Sequence, residues 1–460
     1  MFNAGYSQAA ILPLQQQQYN PNFVKQFILS CAYLFLCSLL FAQNSDSGKT
    51  AMFSIHAQTT IINQFKPSFS AKYSGDNSLI ASRESAISIT STIYAGAKLW
   101  KGASVFINPE MAGGGGLSKA LGVADAPNGE TFRIGDSYPA IYVARLFFTQ
   151  LFSLSNKYVR QDDDLNQVGG VLPAKYFSIT IGKIGIADYF DNNKFSHDPR
   201  TQFMNWGLMD NGAWDYPANT RGYTPSIVLM YVTPSNEWHY AISLVPEMAN
   251  GNAMNWLIKK ANSQTLEYTH RYRLNDLDGA VKVLTFFTTA NMGNYRQSIA
   301  ASPAYPDITQ TRKYGRTKFG FGINAEQNIT TNLGCFLRAS WNDGTNETWA
   351  FTEIDRTTSA GLVMPGNKWH RNNDNIGLGF VVSGISNAHK AYLQAGGKGF
   401  MLGDGKLNYG AEQLAETYYS AALNQNIFIS GVYQLLINPG YNKDRHGPVN
   451  IFSVRVHTKI

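Results

Sequence analysis

The chain is 460 residues long, enough for one large domain or two to three ordinary ones. Hydrophobic residues make up 44%, which excludes a disordered protein, and charged residues only 15%, against an ordinary share of about 25%. The formal charge of +7 comes from Lys and Arg that form no long run and match no RNP, helix-turn-helix or zinc-finger spacing, so no nucleic-acid partner is expected.

Composition narrows the class further. With 25 Tyr, 27 Phe and 41 Gly, the chain fits a β-sandwich, a fibre protein or an outer-membrane barrel. A mean hydropathy of −0.22 is too polar for a helical membrane bundle, whereas a barrel tolerates it because alternate residues face lumen water.

In chain order, Lys25 precedes an apolar run from Phe27 to Phe41, followed by Ala42-Gln43 and the polar "NSDSGK". That reads as a secretory signal peptide, since the run is short of the roughly 20 residues of a spanning helix. The expectation is a leader over 1–42 and a single exported domain over 43–460. "ILSC" resembles a lipobox at Cys31, but Cys31 lies inside the apolar run and is set aside.

Beyond the leader, segments alternate with period two, as half-buried strands do. "AISITSTIYAGAKLW" puts Ile87, Ile89, Ile93 and Leu99 on one face, and "YFSITIGK" does the same with Phe177, Ile179 and Ile181. "EWHYAISLVPE" aligns Trp238, Tyr240, Ile242 and Leu244; "FGFGINAE" aligns Phe319, Phe321, Ile323 and Ala325; "NIGLGFVVSG" aligns Ile376, Leu378, Phe380 and Val382. The opposite faces carry Gly, Ser, Thr, Asn and single charges. Turn signals recur in "WNDGTN", "GDGK", "NPGYNKD" and "SPAYPD". An all-β, transmembrane antiparallel barrel with inward-folded loops is expected, and the mature length allows on the order of 16 strands.

Between these strands, Gly113 to Gly116 lack the GxxxxGK[ST] order of a phosphate loop and read as a bend or a close backbone approach. Cys335 shares a face with Leu333, Leu337, Ala339 and Trp341, a small apolar surface residue rather than a reactive thiol. "QLAETYY", Gln413 to Tyr419, reads as a short helical or loop segment with an exposed tyrosine pair.

The densest functional stretch runs from Asp188 to Ser226 and lacks strand alternation; a loop this long inside a compact fold is usually functional. Asp191 and Asp215 could act as the paired carboxylates of a glycosidase. His197 and Asp198 make a poor metal site, being adjacent with no second His near. Trp206 and Trp214 could stack on a sugar while Asp, Asn and Arg bond its hydroxyls, or they could form the private core of a loop folded on itself. Composition leaves these last two open.

The chain ends on "NIFSVRVHTKI". Phe452, Val454, Val456, Thr458 and Ile460 lie on one face, and Ser453, Arg455, His457 and Lys459 on the other. Pairing with the first strand of a closed barrel would hold such a terminal strand.

"LWKGASVFINPEMAGGGGLS", "FSHDPRTQFMNWGLMDNGAWDYPANTRGY" and "YLQAGGKGFMLGDGKLNYGAEQLAETYYS", with the sequence from there to Ile460, resemble the carbohydrate-selective porin family of Gram-negative outer membranes. The resemblance begins near His56. It departs where His446 separates Arg445 from Gly447 and where the chain ends on Ile460 rather than an aromatic residue.

The resemblance implies a sixteen-stranded, monomeric-pore barrel passing glucose and related sugars by facilitated diffusion, with no enzymatic activity, cofactor or metal. Its partners would be carbohydrate, outer-membrane lipids and the barrel assembly machinery, as a monomer or homotrimer. Family constrictions use arginines, carboxylates and aromatic residues. Carried over here they are Glu110, Arg145, Asp191, His197, Asp198, Arg200, Trp206, Trp214, Asp215 and Arg221. Arg455, His457 and Lys459 would face lumen water, so that replacing Arg455 by Leu would leave folding intact and change ion selectivity. A secreted β-rich glycan-binding or hydrolytic protein and a polysaccharide-export barrel are the rival readings.

Overall fold

A strand with one apolar and one polar face cannot be satisfied alone in lipid; its backbone needs a neighbour on each side, and only a closed sheet gives every strand two. The computed structural model, which describes residues 51–131 and 139–460, resolves this requirement as a closed antiparallel barrel. Its strands are β1 (Phe53–Lys66), β2 (Glu84–Trp100), β3 (Ala103–Gly114), β4 (Ala140–Ser153), β7 (Tyr176–Ile184), β8 (Thr224–Val232), β9 (Asn236–Ser243), β10 (Asn262–Leu274), β11 (Leu277–Met292), β12 (Lys313–Thr330), β13 (Leu333–Asn342), β14 (Arg356–Gly366), β15 (Arg371–Gly384), β16 (Glu412–Ala422), β17 (Ile427–Ile437) and β18 (Val449–Lys459). The sheet has sixteen strands and closes where β18 pairs β1, from Gln58 opposite Lys459 to Phe65 opposite Phe452. Thr50–Lys459 form one compact unit. The expected leader over 1–42 lies outside the described residues.

The outer face is apolar. Ile87, Ile181, Phe319, Phe321, Leu378, Phe380, Phe452 and Val454 are exposed, while the alternate residues Ser178, Thr180, Asn324, Gly379, Ser383 and Ser453 are buried inside. Trp100, Phe152, Tyr231 and Trp238 stand exposed at one end, and Phe65, Phe319 and Phe452 toward the other, as aromatic girdles do at the two membrane surfaces. Among the described residues no helix is long and apolar enough to cross a membrane.

Short turns join β2 to β3, β8 to β9, β10 to β11, β12 to β13, β14 to β15 and β16 to β17, all at one end. Long connections lie at the other. One connection breaks the pattern: residues 154–175 hang from the short-turn end and carry a small hairpin, β5 (Tyr158–Gln161) paired with β6 (Gly170–Pro173). It is held to the inner wall by Lys98 Nζ to Gly169 O (2.6 Å), Asn108 Nδ2 to Asn166 Oδ1 (2.8 Å) and His56 Nε2 beside Asp163 (3.2 Å).

Two sequence expectations fare differently here. The glycine run does mark a close approach, since Gly114 has φ +85° and a Cβ on it would sit 2.0 Å from the Ile87 carbonyl oxygen. "QLAETYY", by contrast, is neither helix nor loop. It lies in β16, with Leu414, Glu416 and Tyr418 buried inside and Tyr419 outside. Its inner face mixes Leu and Tyr with Glu because that face packs against protein rather than water.

Candidate functional site

The connection from β7 to β8, residues 185–223, folds into the barrel, and wall residues from around the ring hold it. Asp191 accepts from the Asn211 amide N–H (2.5 Å) and from Asn324 Nδ2 (2.6 Å), and it pairs with Arg338 of β13 (3.2 Å). The Arg338 guanidinium also donates to the carbonyls of Leu208 (2.8 Å) and Ser196 (2.6 Å). Asp215 accepts from the Trp349 and Ala350 amides (2.9 and 2.8 Å) and from Lys318 of β12 (3.2 Å). Glu416 of β16 accepts from Met204 N and Asn205 N (2.6 and 2.9 Å). Asn205 caps the short helix Trp206–Met209 by accepting from Leu208 N, which fixes where the loop turns.

This geometry separates the predicted residues into two sets. The first set is buried. Trp206 stacks on Phe351 (4.8 Å between centroids, 9° between planes), and Trp214 packs on Phe190 and Tyr216. Both indoles are covered in a core that the loop shares with the barrel wall and the β13–β14 connection, and they offer no face to a ligand. Asp191 and Asp215 are each saturated by anchors and cannot act as opposed catalytic carboxylates; the glycosidase arrangement is absent because burial and backbone N–H donors have claimed both groups. Asp198 bonds within its own turn, accepting from Arg200 N and Thr201 Oγ1 (3.0 and 2.8 Å).

His197 is partly buried with Nδ1 3.8 Å from Asp210 Oδ1, too far for a hydrogen bond. Burial and the neighbouring Arg338 push the His197 pKa down, and burial together with the Asp191 carboxylate pushes the Asp210 carboxyl well up. Among the described residues no three His, Cys, Asp or Glu side chains group as metal ligands would.

The second set meets on the inner side of β3, β4 and β7. Arg145 of β4 makes a bidentate pair with Asp188, Nε to Oδ2 and Nη2 to Oδ1 both 2.6 Å, and its Cζ lies 5.1 Å from the Tyr223 ring centre. Glu110 of β3 accepts from Tyr142 OH (2.6 Å), Tyr223 OH (2.8 Å) and Thr92 Oγ1 (2.6 Å). Arg200 joins Glu110 (3.4 Å) to Glu130 (2.9 Å). Arg221 lies over Tyr142, Cζ 3.9 Å from the ring centre. Lys183 Nζ lies 5.8 Å from the Tyr223 ring centre. Of these, Tyr142, Arg145, Asp188, Arg221 and Lys183 stay partly exposed, with side chains of 13% for Arg145 and 35% for Asp188. The structure brings Glu110, Arg145, Arg200 and Arg221 together, and Tyr142, Tyr223, Lys183 and Asp188 are added by register and by the loop's return.

The basic face of β18 does not meet water as expected. Arg455 is fully buried and donates to the carbonyls of Pro199 and Gln202 (both 2.7 Å) and to Ser430 Oγ (3.1 Å), bracing the inward loop. His457 is buried against Thr60, its Nδ1 2.9 Å from Thr60 Oγ1, and only Lys459 is exposed, 5.5 Å from the Phe428 ring centre. The inward direction was legible from the alternation; the loop that covers Arg455 was not.

The model of the carbohydrate-selective porin, OprB family, matches residues 76–460. The high-pH structure of OprB from Pseudomonas putida superposes with a TM-score of 0.67 at 15% identity, covering 89% of this chain and 94% of that one. The low-pH structure of the same protein gives 0.48 at 11% identity, over 89% and 93%. The outer membrane channel DcaP of Acinetobacter baumannii gives 0.48 at 8% identity, over 89% and 97%. No curated protein matches the sequence at a significant level. A sixteen-stranded barrel of this topology, closed and apolar outside, has the architecture of an outer-membrane channel, and the chain belongs to the carbohydrate-selective porin, OprB family.

Proposed function

We propose that the protein passes glucose-like mono- and oligosaccharides by facilitated diffusion, and that they are selected where the inward loop meets β3 and β4. The observation that carries this reading is the cluster of Tyr142, Arg145, Asp188 and Arg221 around the buried Glu110. A sugar presents hydroxyls that both donate and accept, and a C–H face that packs on a flat partner. Asp188 and Arg145 hold one another in a fixed fork yet remain partly open, so each can lend a hydrogen bond to a passing hydroxyl without reorganising. Arg221 over the Tyr142 ring adds further N–H donors beside them.

Such contacts bind weakly, which is what conduction needs: entry is favoured and release remains fast. Glu110 and Arg200 set the cluster's charge from behind and position the tyrosines. The anchors Asp191, Asp215, Arg338 and Arg455 hold the loop inside the barrel.

Planar-bilayer conductance of the refolded protein, titrated with glucose, xylose and maltodextrins, tests the reading. Concentration-dependent block that weakens on Asp188→Asn is the expected result. Stable channels indifferent to every sugar would remove the selectivity and leave a general porin.

A further inference from the structure

The connection from β9 to β10, residues 244–261, ends in "NWLIKKA" just above the outer face of the barrel. Trp256, Leu257 and Ile258 are exposed at 74%, 54% and 44%, an unusual display for consecutive apolar side chains. They are not a frayed tip. Asn255 is buried, its N–H bonds Val245 O (2.9 Å), its side-chain oxygen accepts from Leu257 N (3.0 Å), and its amide donates to Tyr314 OH (2.9 Å). The turn then closes through Lys260 N to Leu257 O (2.7 Å), and Asn262 Nδ2 holds Ile258 O (2.8 Å).

Lys259 and Lys260 follow directly, both exposed. Lys260 Nζ lies 5.9 Å from the ring centre of Tyr314, near the start of β12. Neither lysine makes an ion pair among the described residues, whereas Arg312, just before β12, is taken by Glu347 (2.6 Å). The connection's one carboxylate, Glu247, sits on its other limb, its N–H bonded to Ala253 O.

Register fixes the height. Gln264 pairs Phe287, which pairs Phe319, and Phe319 belongs to the exposed aromatic row toward the long-loop end. Asn262 opens β10 two positions beyond that level, so the ledge lies where acyl chains give way to headgroups. Exposed apolar side chains with unpaired cations directly beside them complement a lipid with an acyl body and an anionic head. A second copy of the chain would bring the same cations together, and three apolar side chains fall far short of the roughly 800 Å² per partner of a stable interface.

We infer that Trp256, Leu257, Ile258, Lys259 and Lys260 form a docking site for a phosphorylated glycolipid of the outer leaflet, the lysines binding its phosphate and the apolar triplet its acyl chains. The refolded barrel, titrated in detergent with diphosphoryl lipid A and with the same lipid stripped of phosphate, reads the site by native mass spectrometry. Wild type retains the diphosphoryl form in preference. Neutralising the lysines (Lys259→Gln, Lys260→Gln) lowers that preference by about fivefold for each lysine removed. Trp256→Ser weakens both lipids alike, and conversion of both lysines to Arg restores binding.

Gel mobility before and after heating, with channel conductance, verifies that each variant folds, and the comparison of the two lipids on wild type stands even if one does not. Equal retention of both lipids by wild type overturns the inference. So does undiminished preference in the folded double-Gln variant, or an oligomer that Trp256→Ser dissociates while lipid binding stays unchanged.

Discussion

Asp191 and Arg338 meet deep in the barrel, Oδ1 to Nε 3.2 Å apart and both fully buried, and between them they reach three separate turns of the inward loop. Asp191 adopts φ +56°, a left-handed conformation that Asp tolerates where its side chain bonds locally. Removing one partner leaves the other charge uncompensated in a dry site, a loss of about 3–5 kcal/mol. Arg338→Leu should therefore release the loop while the barrel still forms. Larger unitary conductance and new protease cleavage between 186 and 223 are the readouts. Asp191→Asn combined with Arg338→Met should restore much of the wild-type behaviour, because the double change leaves no unpaired charge.

Arg455 carries a revised expectation. On sequence alone its replacement by Leu would alter ion selectivity and nothing else. Its three donors instead hold Pro199 O, Gln202 O and Ser430 Oγ, so Arg455→Leu should loosen the loop at Pro199–Gln202, raise conductance and weaken sugar block together. Val456, one residue on, pairs Ile61 and Ile429 on the lipid side. Val456→Arg should cost up to about 2–4 kcal/mol at the bilayer midplane and reduce the heat-resistant folded band on gels. Identical behaviour of the two variants would mean that the faces of β18 are assigned wrongly.

How much of this was legible follows from what each face touches. Outer faces meet lipid and carry uninterrupted Ile, Leu, Val and Phe, so Ile376 to Val382 and Phe319 to Ile323 announce their strands. Inner faces meet a folded loop as well as water. Leu414 and Tyr418 therefore stand beside Glu412 and Glu416, and β16 lost its alternation to a reader expecting a wet lumen. The loop's residue types were visible, but composition cannot say which carboxylate a backbone N–H will claim. Trp206 and Trp214 have the same sequence signature as a sugar platform, and only the rings they meet, Phe351 far along the chain for Trp206 and Phe190 and Tyr216 for Trp214, make them core. Tyr142 and Lys183 lie outside the dense stretch altogether and join the cluster because β4 runs between β3 and β7.

The fork between Arg145 and Asp188 yields a charge prediction. Both groups keep some solvent contact, so the pair contributes modestly to stability and chiefly fixes two side chains at the opening. Asp188→Asn should leave the folded band unchanged, shift reversal potentials toward anions because Arg145 is no longer neutralised, and weaken sugar block several-fold. Arg145→Gln should shift reversal potentials toward cations. Selectivity that moves the same way in both would show that the pair does not face the permeation path.

Asp210 provides a pH test of the loop's seating. It is buried, its Oδ1 has no hydrogen-bond partner, and burial with the nearby Asp191 holds its pKa well above the ordinary carboxylate value. Such a group keeps its proton in the fold and gives it up in the unfolded chain above about pH 4. The folded state then binds more protons, so stability falls as pH rises from that value toward the raised pKa. Asp210→Asn removes the titration and places an amide donor toward His197 Nδ1, 3.8 Å from the present oxygen. His197, depressed by burial and Arg338, stays neutral and can accept at neutral pH. The variant should be more stable than wild type at pH 7 by on the order of 1 kcal/mol. The gap should close on acidification toward pH 4, followed by thermal melting of the detergent-solubilised barrel. A variant that is less stable at pH 7, or a gap that widens with acid, would mean that Asp210 is ionised in the native loop.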